Sequence, residues 1–116
     1  MILIQHNEKG IQEIVSSMLA GAGYKFCAVT SLEEMWDALG SGDSYELLLC
    51  KVRESLESGM LERVVKRFPN IPVVVWGAQP EELFLEAVSK GAAGYLRAAF
   101  EREQLLAVVR RELSAK

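Results

Sequence analysis

The sequence contains few side chains of the kinds that carry out chemistry in proteins. His6 is its one histidine, and of its 16 acidic residues only Asp37 and Asp43 are aspartates. No serine, histidine and acid set surrounds His6, and no acid–base pair falls at one strand end. The lone pattern Gly21-Ala22-Gly23 precedes a predicted strand, which is the wrong side for a dinucleotide-binding loop. We therefore predict that the chain is not an enzyme.

Cysteine usage and charge exclude further classes of site. Cys27 and Cys50 form no CxxC pair and lie in segments expected to be buried strands, so we predict structural thiols and no metal site. A formal charge of −3 argues against nucleic acid or an anionic membrane as the main partner. The longest apolar run, residues 71–78, is shorter than the roughly 20 residues of a membrane span, and no signal segment begins at Met1. We expect a reducing, cytoplasmic setting and no cofactor.

The elements that must position any site follow from the apolar spacing, which alternates five times between strand-like and helix-like periods. This alternation is typical of the α/β class, and 116 residues are too few for an eight-stranded barrel of about 200 residues or more. We predict a single domain, 1–116, with a doubly wound, five-stranded parallel sheet of strand order 2-1-3-4-5. The predicted strands are 2–4, 26–29, 45–50, 71–76 and 94–97.

Two helix patterns make specific predictions. In the first helix, a face with helical spacing is predicted to be buried; it comprises Ile11, Ile14, Val15, Met18 and Leu19. Before the second helix, Ser31 and Glu34 have the spacing of a capping box, in which each side chain bonds the backbone of the other residue. Further helices are predicted over 60–68, 80–90 and 101–113.

In the predicted topology the carboxyl ends of strands 1, 3, 4 and 5 surround one crevice, where ligands bind in such sheets. The residues at these ends are His6, Asn7, Lys51, Gly77, Ala98 and Ala99. Imidazole, amide and ammonium groups are poor ligands for Mg²⁺, which prefers carboxylate oxygens. Glu8 and Glu54 are the carboxylates nearest in sequence, and we expect both to stay at the exposed start of a helix or in a loop.

Over nearly its whole length, the chain resembles the receiver domain of two-component response regulators. The segments that carry this resemblance are Ile2-Leu3-Ile4, Ala22-Gly23-Tyr24, Tyr45 to Leu49, Gly59, Phe68 to Val73 and Gly91 to Leu96. The resemblance implies a flavodoxin-like (βα)5 fold. It also implies phosphoryl transfer from a histidine kinase to an aspartate that ends strand 3, with Mg²⁺ held by an acidic pair on strand 1. In the family, a strand 4 hydroxyl and a strand 5 lysine contact the phosphoryl group.

Every functional position of that family is changed in this chain. The acidic pair falls on His6 and Asn7, the phosphoacceptor on Lys51, the hydroxyl on Gly77, and the lysine–proline pair on Ala98-Ala99. Lys51 is an ammonium at neutral pH and cannot become an acyl phosphate. We therefore predict an inactive, degenerate phosphorylation pocket, a pseudo-receiver, with neither aspartyl phosphorylation nor a magnesium site.

The resemblance also assigns a switch residue and an interaction face. Tyr95 falls at the switch-aromatic position, where Gly77 offers no hydroxyl; Tyr95 is then fixed in one rotamer or is an ordinary strand tyrosine. The family's interaction face combines the predicted helix 80–90, strand 94–97 and helix 101–113. We predict contacts there by Leu83, Phe84, Leu85, Tyr95 and Arg97, with Phe84 or Leu85 facing outward.

Three functions remain after these observations. The leading one is a phosphorylation-independent protein-interaction or dimerisation module in bacterial signalling, whose partner is another protein, a fused output domain or a second copy. The alternative is binding of an anionic small molecule or nucleotide in the crevice around Lys51 and His6, unless Lys51 pairs with Glu8 or Glu54 and fills the site. A flavodoxin-like redox protein is third, and the chain has no phosphate-binding loop after the first strand.

Overall fold

Five parallel strands form the centre of the molecule in a computed structural model that describes residues 1–114. They are β1 (Ile2–Gln5), β2 (Phe26–Val29), β3 (Leu47–Lys51), β4 (Val73–Gly77) and β5 (Gly94–Arg97). Their order is β2-β1-β3-β4-β5. The predicted class and strand order are therefore confirmed, and β2 and β5 have the predicted bounds.

Six helices connect the strands or follow them. They are α1 (Lys9–Gly21), α2 (Leu32–Leu39), α3 (Val52–Ser55), α4 (Met60–Arg67), α5 (Glu81–Ser89) and α6 (Arg102–Ser114), with a 3-10 turn at Glu57–Gly59. The short helix α3 was not predicted, because four residues are too few to show a helical period. Within residues 1–114, no helix is both long enough and apolar enough to cross a bilayer.

The sheet is covered on both faces, which explains why β3 and β4 are nearly continuous apolar runs. Successive strand residues point to opposite faces, so Leu48 packs with residues of α2, α4 and α5 while Leu49 packs with residues of α1 and α6. All residues of β4 are buried. The central strands are thus packed between two apolar layers.

The buried face of α1 differs from the predicted one. Ile11 is 39% exposed and Ile14 is 57% exposed, whereas the inner face carries Gln12, Val15, Ser16 and Leu19. The cause is Gln12, whose side-chain amide donates a hydrogen bond to the carbonyl oxygen of Val29 at the end of β2. Because that bond satisfies the buried amide, the polar side chain lies against the sheet and the two isoleucines are turned outward.

The capping box at the start of α2 is confirmed. The Ser31 hydroxyl accepts from the Glu34 amide at 3.1 Å, and the Glu34 carboxylate accepts from the Ser31 amide at 3.1 Å. That carboxylate also accepts from the Thr30 hydroxyl at 2.7 Å. These bonds, first of all the one from Thr30, lower the pKa of Glu34.

Candidate functional site

The structure brings the predicted strand-end residues together at the carboxyl edge of the sheet. Lys51 pairs in register with Trp76 at the end of β4, directly before Gly77. The amide of Ala98 donates to the carbonyl oxygen of Gly77 at 2.9 Å, and the Ala98–Ala99 peptide bond is cis. The His6 amide donates to the carbonyl oxygen of Val29 at 3.2 Å.

Lys51 lies at the centre of this site, between two oxygen-bearing side chains. Its Nζ donates to Asn7 Oδ1 at 2.8 Å and lies 3.7 Å from Glu54 Oε1. The side chains of Lys51 and Glu54 are only 13% and 16% exposed. The carboxylate arrives there because α3 begins directly after β3, which places Glu54 one helical turn beyond Lys51.

The inward position of Glu54 corrects the expectation that this carboxylate stays outside. Glu8, in contrast, is exposed as expected. The second carboxylate oxygen of Glu54, Oε2, is buried without a hydrogen-bond partner among the described residues. The Glu54 carboxylate is therefore held in the pocket by its ion pair with the Lys51 ammonium.

Gln5 fixes the backbone on which this arrangement is built. Its buried side chain donates to the carbonyl oxygen of Thr30 at 3.1 Å, and its Oε1 accepts from the Lys51 amide at 3.2 Å. The thiol of Cys50 also donates to Gln5 Oε1, at 3.5 Å. Burial raises the pKa of the Cys50 thiol, which keeps it protonated and suits the predicted structural role.

His6 is buried beside Lys51, where its imidazole is not readily protonated. It is 2% exposed, its ring centroid lies 4.7 Å from that of Trp76, and its Nδ1 accepts from the Glu8 amide at 3.0 Å. Burial, and then the nearby charge of Lys51, lower the pKa of His6, while Glu8 opposes the shift. The imidazole is therefore neutral at pH 7 and adds no positive charge to the crevice.

Gly77 has a backbone conformation that disfavours a side chain. Its φ is +144°, in the region that residues with a β-carbon rarely adopt. A β-carbon there would lie 3.7 Å from Val52 Cγ1 and 3.8 Å from Lys51 Cγ, which are ordinary contacts. Backbone strain, rather than lack of space, therefore opposes a hydroxyl residue at this position.

Gln79 connects the site to β5, a role that the sequence did not suggest. Its side-chain oxygen accepts from Arg53 at 3.0 Å, and its carbonyl oxygen accepts from Arg97 Nε at 3.1 Å. Its position two residues beyond β4 was the only available signal. The guanidinium of Arg97 is exposed, but it is partly committed to this loop.

The structure shows which side chains of the predicted interaction face are exposed, and Phe84 is not among them. Phe84 is fully buried, and the Tyr95 ring stacks on it at a centroid distance of 5.2 Å. The reason is that Phe84 and Ala87 share the inner side of α5. On this face, Leu85 is 54% exposed, Val88 42% and Tyr95 36%, and Leu83 is half-buried against the core.

The donor set at the carboxyl edge does not fit Mg²⁺. The Lys51 ammonium occupies the centre of the site, and its neighbours are the amide of Asn7, the carboxylate of Glu54 and the buried imidazole of His6. A divalent cation beside the ammonium would be repelled. Among residues 1–114, no three His, Cys, Asp or Glu side chains are grouped as a metal site would require.

The chain is similar in sequence to bacterial response regulators. It is 28% identical over 116 residues to the DNA-binding transcriptional regulator NtrC of Rhizobium meliloti, covering 97% of this chain and 24% of that protein. It is 29% identical over 113 residues to the response regulator protein FleR of Pseudomonas aeruginosa, covering 95% and 24%. The chain thus spans about a quarter of the length of these relatives. No family model matches it.

Solved receiver structures have the same fold. The receiver domain of NtrX from Brucella abortus matches with a TM-score of 0.90 at 20% identity and covers all of both chains. A response regulator from Thermotoga maritima matches with a TM-score of 0.87 at 23% identity, covering 97% of this chain and 96% of that one. Over nearly its whole length, the chain is therefore similar in sequence to response regulators, and it has the fold of their receiver domains.

Proposed function

We propose that this domain is a degenerate receiver that works without phosphorylation, as a protein-interaction and dimerisation module. The observation that carries the proposal is the position of Lys51, which ends β3 where the family has its phosphoacceptor and lies between Asn7 and Glu54. An amine at this position cannot form an acyl phosphate. The Lys51 ammonium, paired with Glu54, gives the pocket a permanent positive charge in place of the exchangeable Mg²⁺ of the family.

Two further features support a pocket that does not switch. Gly77 has no hydroxyl to move toward a phosphoryl group, and its φ of +144° opposes replacement by serine or threonine. Tyr95 is stacked on the buried ring of Phe84. We propose that Tyr95, at the switch-aromatic position, keeps this one arrangement.

The partner surface in this proposal is the outer side of α5, β5 and α6. Leu85, Val88 and Tyr95 expose apolar area there, while Arg97 provides charge. Exposed aliphatic and aromatic side chains of this kind are typical of interaction sites. We propose that a second copy of the domain occupies this surface.

The proposal includes a fused output domain and a cytoplasmic setting. Its support is that the relatives are about four times as long as this chain, and one of them is a DNA-binding transcriptional regulator by name. The free cysteines Cys27 and Cys50 fit a reducing compartment. In this arrangement the domain has no catalytic role and does not itself contact nucleic acid.

The alternative, binding of an anion around Lys51 and His6, has less support. The positive charge of Lys51 is paired with Glu54, and the lowered pKa of His6 keeps the imidazole neutral. A bound phosphate would lie beside a carboxylate that is nearly buried. The geometry therefore favours a filled pocket over an anion site.

The test is self-association measured by sedimentation velocity, with and without acetyl phosphate and Mg²⁺. We expect a dimer that does not respond to acetyl phosphate and that dissociates in Leu85→Glu. The matched control is Ile14→Glu, since Ile14 is an equally exposed aliphatic residue on α1. A dimer that strengthens with acetyl phosphate would contradict phosphorylation independence, and a monomer at about 100 µM would contradict the homodimer.

A further inference from the structure

A second candidate site lies between α2 and α4, away from Lys51. It is a cleft of about 410 Å³. Its lining consists of Trp36, Asp37, Gly40, Arg63, Arg67 and Phe68. Arg63 lies in the middle of α4, and the other lining residues lie in the last turn or two of α2 or α4 or directly follow these helices. Because each helix returns from the carboxyl edge to the amino edge of the parallel sheet, the cleft and the Lys51 site lie at opposite edges.

Two arginines in this cleft have aromatic rather than acidic neighbours. Arg63 lies over the Trp36 ring at 5.8 Å from its centroid, and Arg67 lies over the Phe68 ring at 5.6 Å. Within residues 1–114, neither guanidinium forms an ion pair or hydrogen bond with a carboxylate. Both arginine side chains are exposed. The cleft therefore presents two guanidinium groups that pair with no carboxylate, beside the carboxylate of Asp37 in the same lining.

The spacing of these groups suits an anion that also carries a flat ring. Arg63 and Arg67 are four residues apart, so their guanidinium groups lie on one side of α4. One guanidinium group can bind two phosphate oxygens through parallel N–H···O bonds, and the guanidinium groups that lie over Trp36 and Phe68 are flat groups on which a base can stack. Asp37 lines the same cleft and can accept a hydrogen bond from a ribose hydroxyl or an amino group.

We propose that this cleft binds a mononucleotide, whose phosphates accept hydrogen bonds from Arg63 and Arg67 and whose base stacks on a guanidinium group that itself lies over an aromatic ring. Its volume lies in the range of about 300–1,000 Å³ that small-molecule sites occupy. The overall negative charge favours a small anion over a nucleic-acid strand, which needs an extended basic surface. The site is independent of the pocket at Lys51 and of the proposed dimer surface.

Titration of the ¹⁵N-labelled domain with ADP, followed by amide NMR, tests this proposal. We expect shifts at residues 36, 37, 40, 63, 67 and 68, with saturation below about 1 mM. Adenosine and inorganic phosphate, each tested alone, are expected to bind at least about tenfold more weakly than ADP, because each makes only part of the contacts.

The matched variants are Arg63→Gln, Arg67→Gln and the control Arg110→Gln, an exposed arginine on α6 with only a 4.0 Å contact to Glu103. We expect each of the first two changes to weaken ADP binding about tenfold or more, and the control to leave it unchanged. The lining arginines are exposed, so the variants should keep the wild-type melting temperature. Absence of shifts with ADP, binding unaffected by both arginine changes, or binding of an acidic peptide but not of ADP would overturn the proposal.

Discussion

At the residue scale, the ion pair of Lys51 and Glu54 makes a prediction about stability. Lys51→Met removes the positive charge and leaves a nearly buried carboxylate without its partner. We expect this change to lower the free energy of unfolding by about 1–3 kcal/mol. The double variant with Glu54→Gln should recover most of the loss, because it removes the unpaired charge.

Urea denaturation at pH 7 measures both variants. Lys90→Met, which breaks the exposed pair with Glu86, is the matched control and should cost less than about 0.5 kcal/mol. Equal losses in Lys51→Met and Lys90→Met would show that the central pair does not organise the pocket.

His6 gives a second prediction at this scale, on pH. Burial and Lys51 lower the pKa of His6 in the folded state below its ordinary value of 6.5. The unfolded chain therefore binds a proton more readily, and the stability that neutral His6 contributes is present above pH 6.5 and is lost as the pH falls toward the folded pKa. We expect stability to decrease between about pH 7 and pH 5.

Because His6 is the one histidine, NMR of its ring protons reports its pKa directly. In His6→Gln the pH dependence in this window should become flatter. A folded-state pKa above 6.5 would contradict the account of a neutral, buried imidazole.

The candidate site was only partly predictable from single residues. His6, Lys51 and Gly77 were placed correctly because strand ends can be located from apolar runs. The inward turn of Glu54 was not, because it depends on α3, a helix too short to leave a period in the sequence. The contacts of Gln79 depend on arginines from two other elements and have no local signal.

At the element scale, the two sides of α5 should respond differently to truncation. Phe84→Ala removes a fully buried ring and should cost about 3–5 kcal/mol of unfolding free energy. Leu85→Ala, on the exposed side of the same helix, should change it by less than about 0.5 kcal/mol. Chemical denaturation of the two variants tests this, at a concentration where the domain is monomeric. Similar losses in both would contradict the observed orientation of α5.

The elements themselves were more predictable than their orientation. The capping box placed the start of α2, and the continuous apolar runs identified the central strands because those are covered on both faces. The predicted inner face of α1 was wrong at Ile11 and Ile14, because the polar residues Gln12 and Ser16 lie on that face. A periodicity argument counts apolar residues and cannot foresee that Gln12 finds a buried carbonyl.

At the scale of the whole molecule, the fold separates its possible functions in space. The filled pocket around Lys51 lies at the carboxyl edge of the sheet, and the cleft of Arg63 and Arg67 lies between α2 and α4 toward the amino edge. The exposed apolar side chains Leu85 and Val88 lie on a third surface. In the function we propose, Lys51 replaces the phosphoacceptor, and these two other surfaces of the receiver-like fold bind the partners.

The most direct test of this account is the amide NMR spectrum of the domain with Mg²⁺ and beryllofluoride, a mimic of a phosphoryl group on aspartate. A receiver with an intact acidic site serves as the positive control. The account predicts that the resonances of residues 6, 51 and 77 do not move. Shifts clustered at those three positions would contradict the claim that this pocket has lost its phosphorylation chemistry.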